Sequence, residues 1–156
     1  MPQGLALYCF IAVGGATGAC LRYFVTTTVD SLFGKHMPFG TLAVNVIGSF
    51  SLALLYGFIE RHDLSDSPYR ALIGVGLLGA FTTFSTFSVE TLTLLENGLW
   101  LKAIANVFLN VGACLLGVLD VLFVAIVFGL IAYELFGCRL SEQKSMAIAS
   151  ISGVVL

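Results

Sequence analysis

Four apolar runs, each near or above the length that crosses a bilayer and almost free of charge, constrain this chain more than any motif does. A helix needs about 20 apolar residues to span the hydrocarbon core. The first run extends from near Leu5 to about Thr27 with Arg22 as its one interruption, and the second from Gly40 to Ile59 without a charge. The third runs from Ala71 to about Leu95 and carries Glu90 late; the fourth starts near Leu101 and stays apolar through Asp120 to Tyr133. Only 10% of the 156 residues are charged, against about a quarter in globular proteins, which argues against a soluble enzyme. The apolar content argues equally against a disordered tail. Seven Lys and Arg against nine Asp and Glu leave no basic excess for nucleic acid. The chain therefore reads as an all-α, multi-pass protein of the cell membrane, with lipid as its surroundings.

The first run lacks a basic leading segment and a small-residue cleavage site, so it is read as a span and not as a signal peptide. The fourth is awkward. Ala103 to Tyr133 is 31 residues, about 46 Å of helix at about 1.5 Å per residue. That exceeds one crossing of about 30 Å and falls short of two crossings with a turn. One crossing ending near Val127, with Phe128–Gly137 as a protruding or interfacial continuation, is favoured; a broken second pair at Asp120 is the alternative. The connections Val29–Phe39, Glu60–Arg70 and Glu96–Trp100 carry the breakers Gly34 and Pro38, Ser67-Pro68, and Asn97-Gly98. None has room for an extramembrane domain, so the chemistry lies inside the bilayer. Cys9, Cys20, Cys114 and Cys138 show no metal-ligand spacing and read as small hydrophobes.

Orientation follows Lys and Arg in the short loops. One side holds Arg61, Arg70, Arg139 and Lys144, the other Lys35, Lys102 and Arg22. So even a balance leaves two outcomes open: a single topology fixed by the tail charges, or insertion both ways to give an antiparallel homodimer. No internal inverted repeat supplies that symmetry, because Asn45 in the second span has no matching motif in the fourth.

Polar groups inside a span are costly and therefore informative. Gly14, Gly15 and Gly18 at helical spacing read as a packing seam, with Arg22 either snorkelling to the interface or lining an anion-attracting vestibule. Asn45, in Gly40-Thr41-Leu42-Ala43-Val44-Asn45, must find partners, either as glue to a neighbouring helix or as an amide facing a conduit. The sharpest cluster is Gly74, Gly76 and Gly79 followed by Thr82-Thr83-Phe84-Ser85-Thr86-Phe87-Ser88-Val89-Glu90. Such a density of glycine and hydroxyls predicts a local break in the helix, which persists at membrane depth only where protein or a polar cavity covers it. Freed carbonyls there can ligate a hard cation, and freed N–H and hydroxyl groups can solvate an anion. Phe84 and Phe87, three apart, share a helix face and carry electropositive ring edges. Glu90 would repel an anion unless it is protonated or paired; its alternative is a helix end that meets water. Asn106, Asn110 and Cys114, four apart, make one stripe on the fourth span, either a packing seam or a wall of ion positions.

Together, Gly14-Gly15-x-x-Gly18-x-x-x-Arg22, Gly40-Thr41-x-x-x-Asn45 and Gly76-x-x-Gly79-x-x-Thr82-Thr83-Phe84-Ser85-Thr86-Phe87-Ser88-x-Glu90 resemble the Fluc (CrcB-type) fluoride channels, over roughly Phe10 to Leu122. The resemblance implies a four-span subunit whose third helix is broken in mid-membrane, paired as an antiparallel, dual-topology homodimer with two fluoride pathways. It implies a structural Na⁺ at the dimer centre, held by main-chain carbonyls of Gly79 and Thr82 from both subunits. It places Asn45, Thr83, Ser85, Phe84, Phe87 and Glu90 along the pathway, Asn106, Asn110 and Cys114 on a fourth-helix polar track, and Arg22 toward the vestibule. Fluoride would leave passively, lowering cytoplasmic fluoride, with no enzyme activity. Residues 1–127 form the channel subunit on this reading, and residues 128–156, which depart from the family pattern, an atypical extension. The competing function is a small four-span proton-coupled multidrug exporter. It needs an early-helix carboxylate, where the first run offers Arg22.

Overall fold

The structure, a computed structural model, describes residues 3–34, 36–61 and 68–132. Among them every regular element is a helix: α1 (Gln3–Phe33), α2 (Phe39–Arg61), a π-helical segment (Arg70–Leu78) leading into the single turn α3 (Gly79–Phe81), α4 (Phe84–Glu96) and α5 (Trp100–Ala132). Four stretches are long and apolar enough to cross a membrane: Gly4–Phe33, Phe39–Ile59, Arg70–Glu96 and Trp100–Phe128. The third has the lowest mean hydropathy, 1.6 against 2.7 in the fourth, because it carries the hydroxyl cluster. Met1–Val121 make one compact unit. Beyond it α5 continues to Ala132, and most of the extension expected at 128–156 lies outside the described residues.

Lipid removes the hydrophobic drive between helices, so close van der Waals packing at small residues must hold them together. The crossing of α1 on the π-helical segment works this way. A Cβ on Gly14 would run into the Leu72 carbonyl oxygen, and one on Gly18 into the Leu77 carbonyl. From the other side, a Cβ on Gly76 would lie 2.8 Å from the Ile11 oxygen and 3.0 Å from the Gly14 Cα. The two backbones therefore touch directly. Gly15 takes part through its backbone, its nitrogen 3.1 Å from a Cβ on Gly76, although a Cβ on Gly15 itself would meet only the Gly76 oxygen at 4.0 Å. The same segment departs from α geometry. The Gly79 N–H reaches back to the Gly74 carbonyl, five residues away, in a run longer than the single-turn bulges in which π geometry is usual.

Helix α1 overruns the apolar stretch by about two turns. Thr26, Thr27 and Thr28 donate their hydroxyls to the carbonyls of Arg22, Tyr23 and Phe24 at 2.7–2.8 Å, and Ser31 donates to Thr28 at 2.7 Å. Polar side chains satisfied on their own helix no longer mark its end. Gly34, at φ +77°, does. The overrun brings Asp30 into α1, where Oδ1 accepts the Gly40 N–H at 3.0 Å and caps the start of α2. Helix α4 closes with a Schellman turn. Gly98 at φ +73° donates to Leu95 and Leu99 donates to Leu94, both at 2.9 Å.

Gly14→Ala should cost about 1–3 kcal/mol by overpacking the crossing, whereas Gly57→Ala and Gly112→Ala, with nothing within 4 Å of the added Cβ, should not destabilise. Thermal unfolding of the three purified variants in one detergent checks the ranking.

Candidate functional site

Two residues in the middle of the third span leave the helix. Thr82 (φ −80°, ψ 157°) and Thr83 (φ −151°, ψ 113°) are extended between α3 and α4. The last helical bond before them is Thr82 N–H to Leu78 at 3.1 Å, doubled by the Thr82 hydroxyl at 3.2 Å. Gly48 of α2 makes room beside them, because a Cβ there would collide with the Thr82 methyl.

An unbonded peptide group away from water is destabilising by about 1–3 kcal/mol, and Asn45 of α2 removes that cost. Its Oδ1 accepts the Thr83 N–H at 2.8 Å and its Nδ2 donates to the Thr83 carbonyl at 3.2 Å. One side-chain amide thus pairs with both polar groups of one residue, as a neighbouring strand would. In an unbroken helix the Thr83 N–H would bond the Gly79 carbonyl; here that carbonyl has lost its helical donor. The Thr82 carbonyl points toward α1, where Arg22 Nη1 lies 3.5 Å away.

Beyond the extended pair, Thr83 Oγ1 accepts the Thr86 N–H at 3.2 Å and caps α4. It also lies 2.9 Å from the Thr86 hydroxyl and 3.3 Å from that of Ser85. Thr83 is buried, while Ser85 and Thr86 are exposed. The two phenylalanines differ sharply: Phe84 is 76% exposed and Phe87 only 7%. Their rings remain in contact, 5.3 Å between centroids and tilted by 56°, within the centroid separation at which aromatic pairs attract.

The stripe on α5 turns inward. Asn45 Nδ2 donates to Asn110 Oδ1 at 2.9 Å, and Asn110 Nδ2 donates to Asn106 Oδ1 at 2.9 Å and to its carbonyl at 3.1 Å. Asn106 Nδ2 then donates to Thr91 Oγ1 at 2.9 Å, which in turn donates to the Phe87 carbonyl at 2.7 Å. Asn106 and Asn110 are buried, at 2% and 4% exposure.

Two depressions flank Thr83. One, of about 360 Å³, is lined by Asn45, Phe84, Phe87, Asn110 and Cys114 among others. The other, of about 450 Å³, is mixed in character and lined by Arg22, Asp30, Thr41, Thr86 and Glu90 among others. In it Glu90 Oε1 accepts the Thr41 hydroxyl at 2.8 Å, while Oε2 is buried with no hydrogen-bond partner among the described residues. No cluster of three or more His, Cys, Asp or Glu suited to a metal occurs among the described residues.

The structure thus brings Asn45, Thr83, Asn106 and Asn110 into one bonded set, and Arg22 and Glu90 to one cavity. Cys114 shares the first depression without a hydrogen bond of its own, and Gly79 is exposed. Sequence reasoning missed the partners Thr91 and Asp30, and carried Thr41 only as a motif residue without its bond to Glu90. Thr91 carries a faint signal, one helical turn after Phe87. Asp30 carries none, since its position reads as loop until the threonines before it are seen to stay helical.

The family described as "CrcB-like protein, Camphor Resistance (CrcB)" matches residues 9–124. The chain belongs to this family. A relative from Alteromonas mediterranea, "Fluoride-specific ion channel FluC", is 92% identical over 116 residues, covering 74% of this chain and 91% of the relative. Proteins of the same name from Pseudoalteromonas translucida (51% over 105 residues, 67% of this chain and 88% of the relative) and Shewanella sp. strain W3-18-1 (54% over 105 residues, 67% and 84%) are also similar. With four apolar spans, this CrcB-family chain is a multi-pass membrane protein. Its family match ends at residue 124, three residues past the compact unit that ends at Val121.

Asn45→Ala should leave the Thr83 N–H without a partner and destabilise the fold by about 1–3 kcal/mol. Thr83→Val should cost about 1 kcal/mol through loss of the α4 cap, and Thr83→Ser much less. Chemical or thermal unfolding in detergent distinguishes the three.

Proposed function

We propose that this chain is a fluoride channel, passing fluoride down its gradient out of the cell and so lowering cytoplasmic fluoride, and that it works as an antiparallel, dual-topology homodimer. The observation that carries the reading is the extended pair Thr82 and Thr83, held open in the third span by Asn45. The names of the relatives support the ion. A channel with these parts is not an enzyme.

Fluoride is small and strongly hydrated, so a pore must replace its water with donors in several weak steps. Thr83 and Thr86 with their hydroxyls and Phe84 and Phe87 with their rings line the depressions beside the break and supply such donors, and the Ser85 hydroxyl adds one 3.3 Å from that of Thr83. Cys114 and Asn110 continue the apolar side toward α5, and Arg22 draws anions to the other side. Glu90 lies along the same route, held in place by the Thr41 hydroxyl that donates to its Oε1. The even distribution of Lys and Arg supports insertion both ways, and the exposure of Phe84 and Gly79 beside the break supports cover by a second chain.

The donor set also suits the Na⁺ that the family resemblance implies. Gly79 offers a carbonyl without its helical donor, and Thr82 offers one contacted only at 3.5 Å by Arg22. Oxygen is the ligand a hard cation takes. When bound by these carbonyls in two chains, the ion would supply positive charge at depth and reduce the cost of a nearby anion.

Fluoride efflux from loaded proteoliposomes tests the reading. Wild-type protein should release fluoride and retain chloride, with slower release when Na⁺ is withheld during reconstitution. Phe84→Ile and Phe87→Ile should each lower the rate by at least about tenfold, the loss of roughly one ring-edge interaction of the aromatic class, with the dimer intact. Asn45→Asp should impair flux, because a carboxylate loses the donations to the Thr83 carbonyl and to Asn110 Oδ1 that hold the break open. Equal release of both halides by the wild type would overturn the fluoride reading; unchanged flux in both phenylalanine variants would remove the aromatic role.

A further inference from the structure

The stripe on α5 admits two roles, a wall of ion positions or a seam, and hydrogen-bond arithmetic separates them. A side-chain amide has two N–H donors. Asn45 spends both, on the Thr83 carbonyl and on Asn110 Oδ1. Asn110 spends both on Asn106, and Asn106 spends one on Thr91. Five of the six amide hydrogens are therefore committed within the protein, two each from Asn45 and Asn110 and one from Asn106. An anion needs donors, and at Asn106 and Asn110, almost fully buried, the committed hydrogens are not on offer.

The bonds also share one direction. Asn45 donates to Asn110, Asn110 to Asn106, Asn106 to Thr91 and Thr91 to the Phe87 carbonyl. The sense of each amide is set by the next, because a reversed Asn110 would face Asn45 Nδ2 with N–H against N–H. That choice matters only at the start of the series. Asn45 must present Oδ1 to the Thr83 N–H and Nδ2 to the Thr83 carbonyl, or both bonds are lost. The series starts at Thr83, the N-cap of α4, passes through α2 and α5, and returns to α4 at Thr91, whose hydroxyl bonds back to the Phe87 carbonyl one turn earlier in the same helix. It encloses the turn that carries Phe84 and Phe87. Hydrogen bonds in such a series polarise and strengthen one another.

We propose that Asn110, Asn106 and Thr91 are positioning residues: a one-directional relay that sets the orientation of the Asn45 amide and, through it, keeps the Thr83 peptide out of the helix and the Phe87 turn in register. The role of the relay in transport rests on the fluoride-channel reading; its role in holding Thr83 does not.

The test uses the full chain, purified in detergent and reconstituted in liposomes. Amide hydrogen exchange is followed on fragments containing Thr83, beside fluoride efflux. Thr91→Val keeps the shape and removes the hydroxyl; Thr91→Ser keeps the hydroxyl; Asn110→Leu interrupts the relay at its centre. Exchange at Thr83 should accelerate by about tenfold in Asn110→Leu, the weight of one hydrogen bond, and by less in Thr91→Val. Thr91→Ser should restore both exchange and flux. Exchange at Thr83 unchanged in Asn110→Leu and Thr91→Val would overturn the proposal. So would a loss of flux in those variants with Thr83 still protected, since that result marks direct contact with the ion. A wild-type protein that passes no fluoride, yet shows the exchange pattern, would sink the channel reading and leave the relay standing.

Discussion

A span in lipid has no water to bond its peptide groups, so every N–H and C=O must find a partner in the protein. The third span meets this condition in an unusual way at Thr82 and Thr83. The amide of Asn45, on a different helix, bonds both polar groups of Thr83. The rest of the arrangement depends on that substitution. With Thr83 held in an extended conformation, its hydroxyl can cap α4 and gather Ser85 and Thr86. The Gly79 and Thr82 carbonyls are released from the helical ladder, and Phe84 and Phe87 start a new helix with their own register.

The departure from α geometry begins before the extended pair. From Arg70 to Leu78 the segment is π-helical, and this stretch is the one pressed against α1 through Gly14, Gly18 and Gly76. Backbone contact at three glycines supplies the close packing that apolar side chains cannot supply selectively in lipid. The crossing of α1 also brings Arg22 beside the Thr82 carbonyl. Seam and site are therefore parts of one arrangement.

Charge is handled by proximity and by bonding. Arg22, Asp30 and Glu90 line one cavity, yet each carboxylate already accepts a hydrogen bond, Asp30 from the Gly40 N–H and Glu90 from Thr41. The cavity thus sets two carboxylates beside one guanidinium, with both acids held in place by these bonds.

How much of this was readable in the residues follows from which interactions are local. The four spans, the turns at Gly34 and Gly98 and the interruption around Thr82 all arise within short stretches of chain, from hydropathy, positive-φ glycine and competing hydroxyls. The far end of α1 is not legible in the residues, because Thr26, Thr27 and Thr28 bond their own helix where their type equally suits a loop. The individual polar residues Asn45, Glu90, Asn106 and Asn110 stood out by the cost of burying them in lipid. What each one bonds did not, because those partners lie 15 to 65 positions away, with α5's pair bonded to each other. Sequence alone determined that polar groups would be buried in these spans, since residue type and hydropathy are enough for that. Only the tertiary structure decided that Asn45 would meet Thr83 and that Glu90 would meet Thr41, because hydrogen bonds are short and directional and the packing of helices chooses which donors come within reach.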